Sequence, residues 1–158
     1  MRLLYNPTQL TCNLTIGDWP ACSGIQKITG FAKGLSFHRV DYFPYWHISN
    51  SIVLGYNRSE NEDTVRLFNY AYFKGENLQK HIGDFFVGEK LDVQLLFNDK
   101  TIAAMVKSPH DNIYSYNANF YRPNNIGKFG YQLFPFAEID GTEIRTPFEL
   151  KITDLKIK

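Results

Sequence analysis

The sequence predicts an all-β chain, folded as an antiparallel sandwich of two sheets. Three observations carry that prediction. Apolar side chains recur at every second position through several segments, the repeat that a half-buried strand requires. Helix-period stretches are scarce, so the crossover helices that parallel strands need are missing. Glycines and turn dipeptides punctuate the alternating segments at short intervals. A chain of 158 residues is expected to form one domain, with residues 1–24 as an N-terminal arm or hairpin.

The alternation is clearest from Thr64 to Phe73, where Val65, Leu67, Ala71 and Phe73 share one face and Arg66, Phe68, Tyr70 and Tyr72 the other. In the next such segment, Leu91, Val93, Leu95 and Phe97 point inward while Asp92 and Gln94 point outward. Asn98-Asp99-Lys100 then turns the chain into Thr101–Val106, which reads as a hairpin. Further strands are expected over Leu10–Ile16, Ile25–Gly30, Leu35–Val40, His47–Tyr56, Ile113–Phe120, Phe129–Phe134 and Phe148–Ile157. Gly24, Gly34, Gly75, Gly83, Gly88, Gly127 and the Asp140-Gly141 dipeptide supply turns between them. Glu76–Phe85 reads as a short helix-period stretch.

Composition excludes several function classes. A formal net charge of +1, with Lys and Arg dispersed among nearly equal acids, provides no basic groove for nucleic acid and no attraction to an acidic membrane. No stretch approaches the 18 or more apolar residues of a membrane span. Asn6 to Gln9 interrupt any leader-like apolar run, so the chain is expected to be soluble and made in the cytoplasm. Cys12 and Cys22 flank the Gly17–Pro20 turn; pairing across a hairpin and two reduced thiols are both open, the second favoured in a reducing compartment.

Val87-Gly88-Glu89-Lys90 followed by Leu91–Phe97 and Thr101–Val106 resembles the hairpin of concanavalin-A-like and jelly-roll carbohydrate-binding sandwiches. The Phe148–Ile157 segment is similar to the closing strand of such folds. Ser36–Arg39, Ile52–Tyr56 and Gly130–Phe136 resemble segments of jelly-roll proteins from Bacteroidetes and the phages that infect them. The resemblance implies a jelly-roll sandwich acting in recognition or in virion assembly. It speaks to architecture more than to activity.

Two clusters are candidates for ligand contact. In Tyr42-Phe43-Pro44-Tyr45-Trp46-His47, Pro44 breaks a regular strand, so that rings project from a loop or sheet edge. An exposed ring suits the apolar face of a sugar, with His38 and Arg39 nearby to donate hydrogen bonds. The second cluster, from Tyr114 to Asn125, offers Asn117, Asn119 and Arg122, whose polar groups suit sugar hydroxyls. The plainer alternatives are rings that close one end of the core and a solvated outer strand face. The expected function is therefore a non-catalytic recognition module that binds glycan through Tyr45, Trp46, His38, Arg39, Asn117, Asn119 and Arg122. The alternatives are a phage virion or assembly subunit and a polysaccharide lyase.

The expected partners are glycan or other assembly subunits, with a homo-oligomer in view. His38, His47, His81 and His110 lack metal-ligand spacing, and neither a nucleophile elbow nor a phosphate-binding loop is present; the expectation is no metal, no cofactor and no catalytic residue. Gly141-Thr142-Glu143-Ile144-Arg145 resembles an alginate-lyase strand with its leading Arg replaced by Gly. Gln79-Lys80-His81 likewise departs from that family's pattern, which has Ile or Val between the Gln and the His.

Overall fold

The alternating segments pair as expected in the computed structural model, which describes residues 3–33, 50–60, 62–73, 76–98, 101–119, 129–133, 138–139, 142–143 and 150–158. The described residues form strands β1 (Leu3–Tyr5), β2 (Gln9–Thr15), β3 (Cys22–Lys33), β4 (Asn50–Arg58), β5 (Thr64–Phe73), β6 (Glu76–Phe86), β7 (Lys90–Phe97), β8 (Thr101–Lys107), β9 (Asn112–Asn119), β10 (Phe129–Leu133), β11 (Glu138–Ile139), β12 (Thr142–Glu143) and β13 (Lys151–Ile157). One sheet, A, runs β1-β10-β3-β4-β5-β6, and the other, B, runs β13-β2-β7-β8-β9. All pairings are antiparallel. The molecule is thus an all-β sandwich of the jelly-roll type. The expected strand Leu35–Val40 lies outside the described residues.

Between the sheets lies one apolar core. Sheet A contributes Phe31, Ile52, Leu54, Val65, Leu67 and Ala71; sheet B contributes Leu10, Leu14, Leu91, Val93, Leu95, Phe97, Ile102 and Val106. These are the positions that period-two alternation placed inward on β5 and β7. Each fully buried Leu, Ile or Phe contributes roughly 1.5–3 kcal/mol relative to an exposed one, so the two facing rows dominate the stability of the fold. Trp19 and Tyr56 close one end with ring centroids 5.0 Å apart and tilted by 55°.

Three expectations need correction. Glu76–Phe85 is not helical but lies in the edge strand β6. Edge strands bear polar side chains that discourage pairing with other chains, and Glu76, Asn77, Gln79, Lys80 and His81 give the segment a polar character without strict alternation. A bulge at Ile82 shifts the pairing between Leu67↔Gly83 and Phe68↔His81, which breaks the period further. The Gly17–Pro20 segment closes no hairpin, because β2 belongs to sheet B and β3 to sheet A. Residues 3–15 are built into both sheets, with β1 on β10 and β2 between β13 and β7. The turn before β7 follows its reading: Glu89 N donates to Phe86 O at 3.1 Å, and Gly88 takes φ +95°, a conformation that a side chain would strain.

Cys12 and Cys22 are both buried free thiols. Burial pushes the Cys12 thiol up to about 12 from an ordinary value of 9.0, because a thiolate among apolar side chains loses its hydration. Once the pH passes 9, the unfolded chain releases this proton while the folded chain keeps it. The native state is therefore favoured fully below pH 9 and loses that advantage as the pH climbs toward 12. Unfolding free energies from urea titrations between pH 8 and pH 11 should fall, with a limiting slope of about 1.4 kcal/mol per pH unit from this thiol. Cys12→Ala should flatten that slope whatever it does to stability at pH 8; an unchanged slope contradicts the assignment.

Candidate functional site

Outward from the core, sheet A divides into two halves. Over β3 and β4, Ala32, Ser51 and Val53 face away from the intersheet core yet are buried, and β11 lies against β3. Over β5 and β6 the outer side chains reach solvent. Cross-strand pairing sorts them into four rows. Asn57, Arg66 and Asp84 form the first row; Gly55, Phe68 and His81 the second. Val53, Tyr70 and Gln79 make the third, with Ser51, Tyr72 and Asn77 the fourth.

The first row opens onto a cleft of about 470 Å³ lined by Cys22, Ser23, Asn57, Arg58, Ser59 and Arg66, among others. Asn57 Nδ2 donates to the carbonyls of Cys22 (2.9 Å), Ser23 (3.0 Å) and Gly24 (3.3 Å). Those residues belong to a bulge in β3, where four steps from Cys22 to Gln26 face two steps from Arg58 to Tyr56. The amide replaces ladder bonds that the bulge gives up. Asn57 Oδ1 in turn accepts from Arg66 Nη1 at 3.3 Å, and Arg66 Nη2 pairs with Glu62 Oε1.

Arg58 is held as firmly. Its Nη1 donates to Trp19 O at 2.7 Å and pairs with Asp18, while Nε donates to Glu62 O at 3.1 Å. Arg66 Nε and Arg58 Nη2 have no acceptor among the described residues. Glu62 Oε2 is a buried acceptor with no hydrogen-bond partner among them. Asp18 and Glu62 match the two guanidinium charges, and Glu60 stands at the rim. The cleft is close to neutral and is rich in both donors and acceptors.

The second row supplies a ring surface. Phe68 and His81 lie with ring centroids 5.5 Å apart, tilted by 52°. Gly55 beside them cannot take a larger residue freely, since a Cβ there would sit 2.4 Å from Ile25 Cγ2. His81 Nε2 lies 2.7 Å from Asp84 Oδ1. Residues three apart in a regular strand face opposite ways; the bulge at Ile82 turns His81 and Asp84 to one side.

In the third and fourth rows, the Tyr70 and Tyr72 rings meet edge-on at 5.5 Å and their hydroxyls lie 2.9 Å apart. Asn77 Nδ2 donates to Tyr70 Oη at 3.1 Å, and Lys27 Nζ stands 5.8 Å from the Tyr70 ring centroid. Burial, then the neighbouring Tyr72 hydroxyl, pushes the Tyr70 phenol up to about 12. The Tyr70 phenol therefore stays protonated at neutral pH and can donate.

The sequence offered other residues as candidate ligand contacts. His38, Arg39, Tyr45, Trp46 and Arg122 lie outside the described residues. Asn119 pairs with Thr101, and Asn117 is the extra residue of a bulge in β9, the edge strand of the other sheet. Asn57, Glu62, Arg66, Phe68 and His81, which come together on this face, were not among those candidates. The available signal was a strand with rings on the face opposite its core face.

Sheet B offers a contrasting outer surface, a shallow groove lined by Asn13, Asp92, Gln94, Met105, Lys107 and Asp154, among others. It has donors, acceptors and charges.

The chain matches no protein-family model and no curated protein. Among solved structures it is similar to CG-16, a homodimeric agglutinin from chicken liver, at 12% identity over 99% of this chain and 98% of that one, with a TM-score of 0.41. It is also similar to a double mutant of congerin II at 9% identity, over 99% of this chain and 98% of that one, with a TM-score of 0.39.

The Asn57 clamp has a direct consequence for stability. Asn57→Ala should cost about 1 kcal/mol, the net worth of a hydrogen bond whose freed carbonyls water can reach. Asn57→Asp should cost more, because it aims a carboxylate oxygen at three carbonyl oxygens. Urea unfolding of the two variants ranks them; an Asp variant as stable as the native chain contradicts the clamp.

Proposed function

We propose that the protein is a recognition module that binds a neutral glycan on the outer face of sheet A. Asn57, Glu62 and Arg66 read hydroxyl groups, while Phe68 and His81 carry the apolar face of a sugar ring. One observation carries the reading: a nearly neutral donor–acceptor network sits one cross-strand row from a solvent-facing ring pair.

The chemistry matches on both counts. A sugar hydroxyl donates one hydrogen bond and accepts others, so a paired guanidinium and carboxylate can satisfy it from two sides. The axial C–H groups of a pyranose form an apolar patch that stacks on an aromatic face. An anion would meet Glu60 and Glu62 beside the arginines, which disfavours phosphate or sulfate.

Glycan-array screening followed by calorimetry tests the proposal. Phe68→Ala should weaken the best ligand about 2- to 10-fold, the worth of one aromatic stacking contact. Arg66→Ala should weaken it about 10- to 100-fold, because it removes charge-assisted hydrogen bonds. Lys107→Ala, exposed on sheet B, should leave affinity unchanged. Absence of glycan binding, or full affinity in both site variants, would overturn the reading.

A further inference from the structure

We infer that the site is elongated along β5 and takes a linear glycan of several sugar units lengthwise, rather than a single terminal sugar. The inference rests on the glycan reading above and extends it to the third and fourth rows.

Its basis is the repetition of the rows. Successive outward positions on β5 are Arg66, Phe68, Tyr70 and Tyr72, and each faces a polar side chain on β6: Asp84, His81, Gln79 and Asn77. Outward residues in a strand recur every two positions, so Arg66 to Tyr72 spans about 20 Å. That is the length of several hexose rings end to end and far longer than one. Each row combines a flat or planar group with a hydrogen-bonding group, and a polymer with one sugar per row would meet both in turn.

The ends of the strip differ in character. The first row is built of paired charges. The third and fourth rows offer phenol hydroxyls and amides, with the Lys27 ammonium against the Tyr70 ring. Neutral groups of that kind suit internal sugars, whose remaining hydroxyls are uncharged. The other side of the strip is bounded, because Ser51 and Val53 on β4 are buried in the same rows. A ligand crossing the strands would run onto this covered half; a ligand running along β5 stays on the open one.

Calorimetry with linear glucan, xylan and N-acetylglucosamine oligomers of one to six units tests the inference. For whichever series binds, affinity should rise with each unit up to about four and then level off. The ratio of tetrasaccharide to disaccharide affinity should fall about 3- to 10-fold in Tyr72→Ala and by a smaller factor in Asn77→Ala. Tyr72→Phe, which keeps the ring and the packing, should lower it less than Tyr72→Ala and guards against misfolding as the cause. A ligand whose affinity is complete at one or two units overturns the elongated site and leaves the glycan reading standing. So does a length gain that is lost in Lys27→Ala but kept in Tyr72→Ala, since the sugar would then cross the strands. If no oligomer of any length binds and the array is blank as well, both readings fall.

Discussion

Everything on the outer face of sheet A depends on the register between β4 and β5, which runs without a shift from Asn50↔Phe73 to Asn57↔Arg66. The constraint is the pleat: neighbouring residues point to opposite faces, so a slip of one position exchanges the two faces of a strand. On β5 such a slip would bring Arg66, Phe68, Tyr70 and Tyr72 inward and expel Val65, Leu67 and Ala71. The second set is fully buried between the sheets, while the first includes a guanidinium whose charge would be costly to desolvate. Core burial thus fixes the register, and the register aligns the rows. The hydrophobic interior orders the polar exterior without touching it.

Bulges then adjust what the register alone would give. In β6 the extra residue, Ile82, keeps its own side chain in the core and brings His81 and Asp84 to the same outer side. In β3 the bulge after Cys22 presents three carbonyls to one amide, and that amide fixes the acceptor that Arg66 uses. Each irregularity gives up ladder bonds, and each is found where a side chain of the site has to be aimed. The two salt-bridged arginines are tied to the same corner through Glu62, whose carboxylate holds Arg66 and whose carbonyl holds Arg58.

Sequence patterning reported those parts of the fold that burial alone decides. β5, β7 and β8 match their expected spans closely because each packs one face on the core and leaves the other free to vary. β6 was misread because it lies at an edge, carries polar side chains and is bulged. The site was legible only in part. Arg66, Phe68, Tyr70 and Tyr72 were correctly assigned to the face away from the core. Their grouping with polar neighbours was not visible, because Asn57, Glu62 and His81 reach them from other segments. Local clusters such as Tyr42–His47 stand out in a linear reading; a surface assembled from three strands and a turn does not. Which positions lie side by side across a sheet is a property of pairing, and a single chain read in order does not contain it.

One boundary of the strip is nonetheless encoded locally. β4 reads Ser-Ile-Val-Leu-Gly-Tyr, a run buried at every position from Ser51 to Tyr56, whereas β5 alternates buried and half-buried positions over most of its length. A continuous apolar run marks a strand covered on both faces, and alternation marks one covered on a single face. The change from one pattern to the other, between Tyr56 and Thr64, therefore marks where the outer face of sheet A passes from covered to open. Rings on the alternating strand beyond that change cannot be explained by the intersheet core, which the other face of the same strand already fills. A period-two strand with aromatic side chains on its second face, next to a strand buried on both, carries ring surface toward solvent at a cost in exposed apolar area. Contact with a ligand would offset that cost.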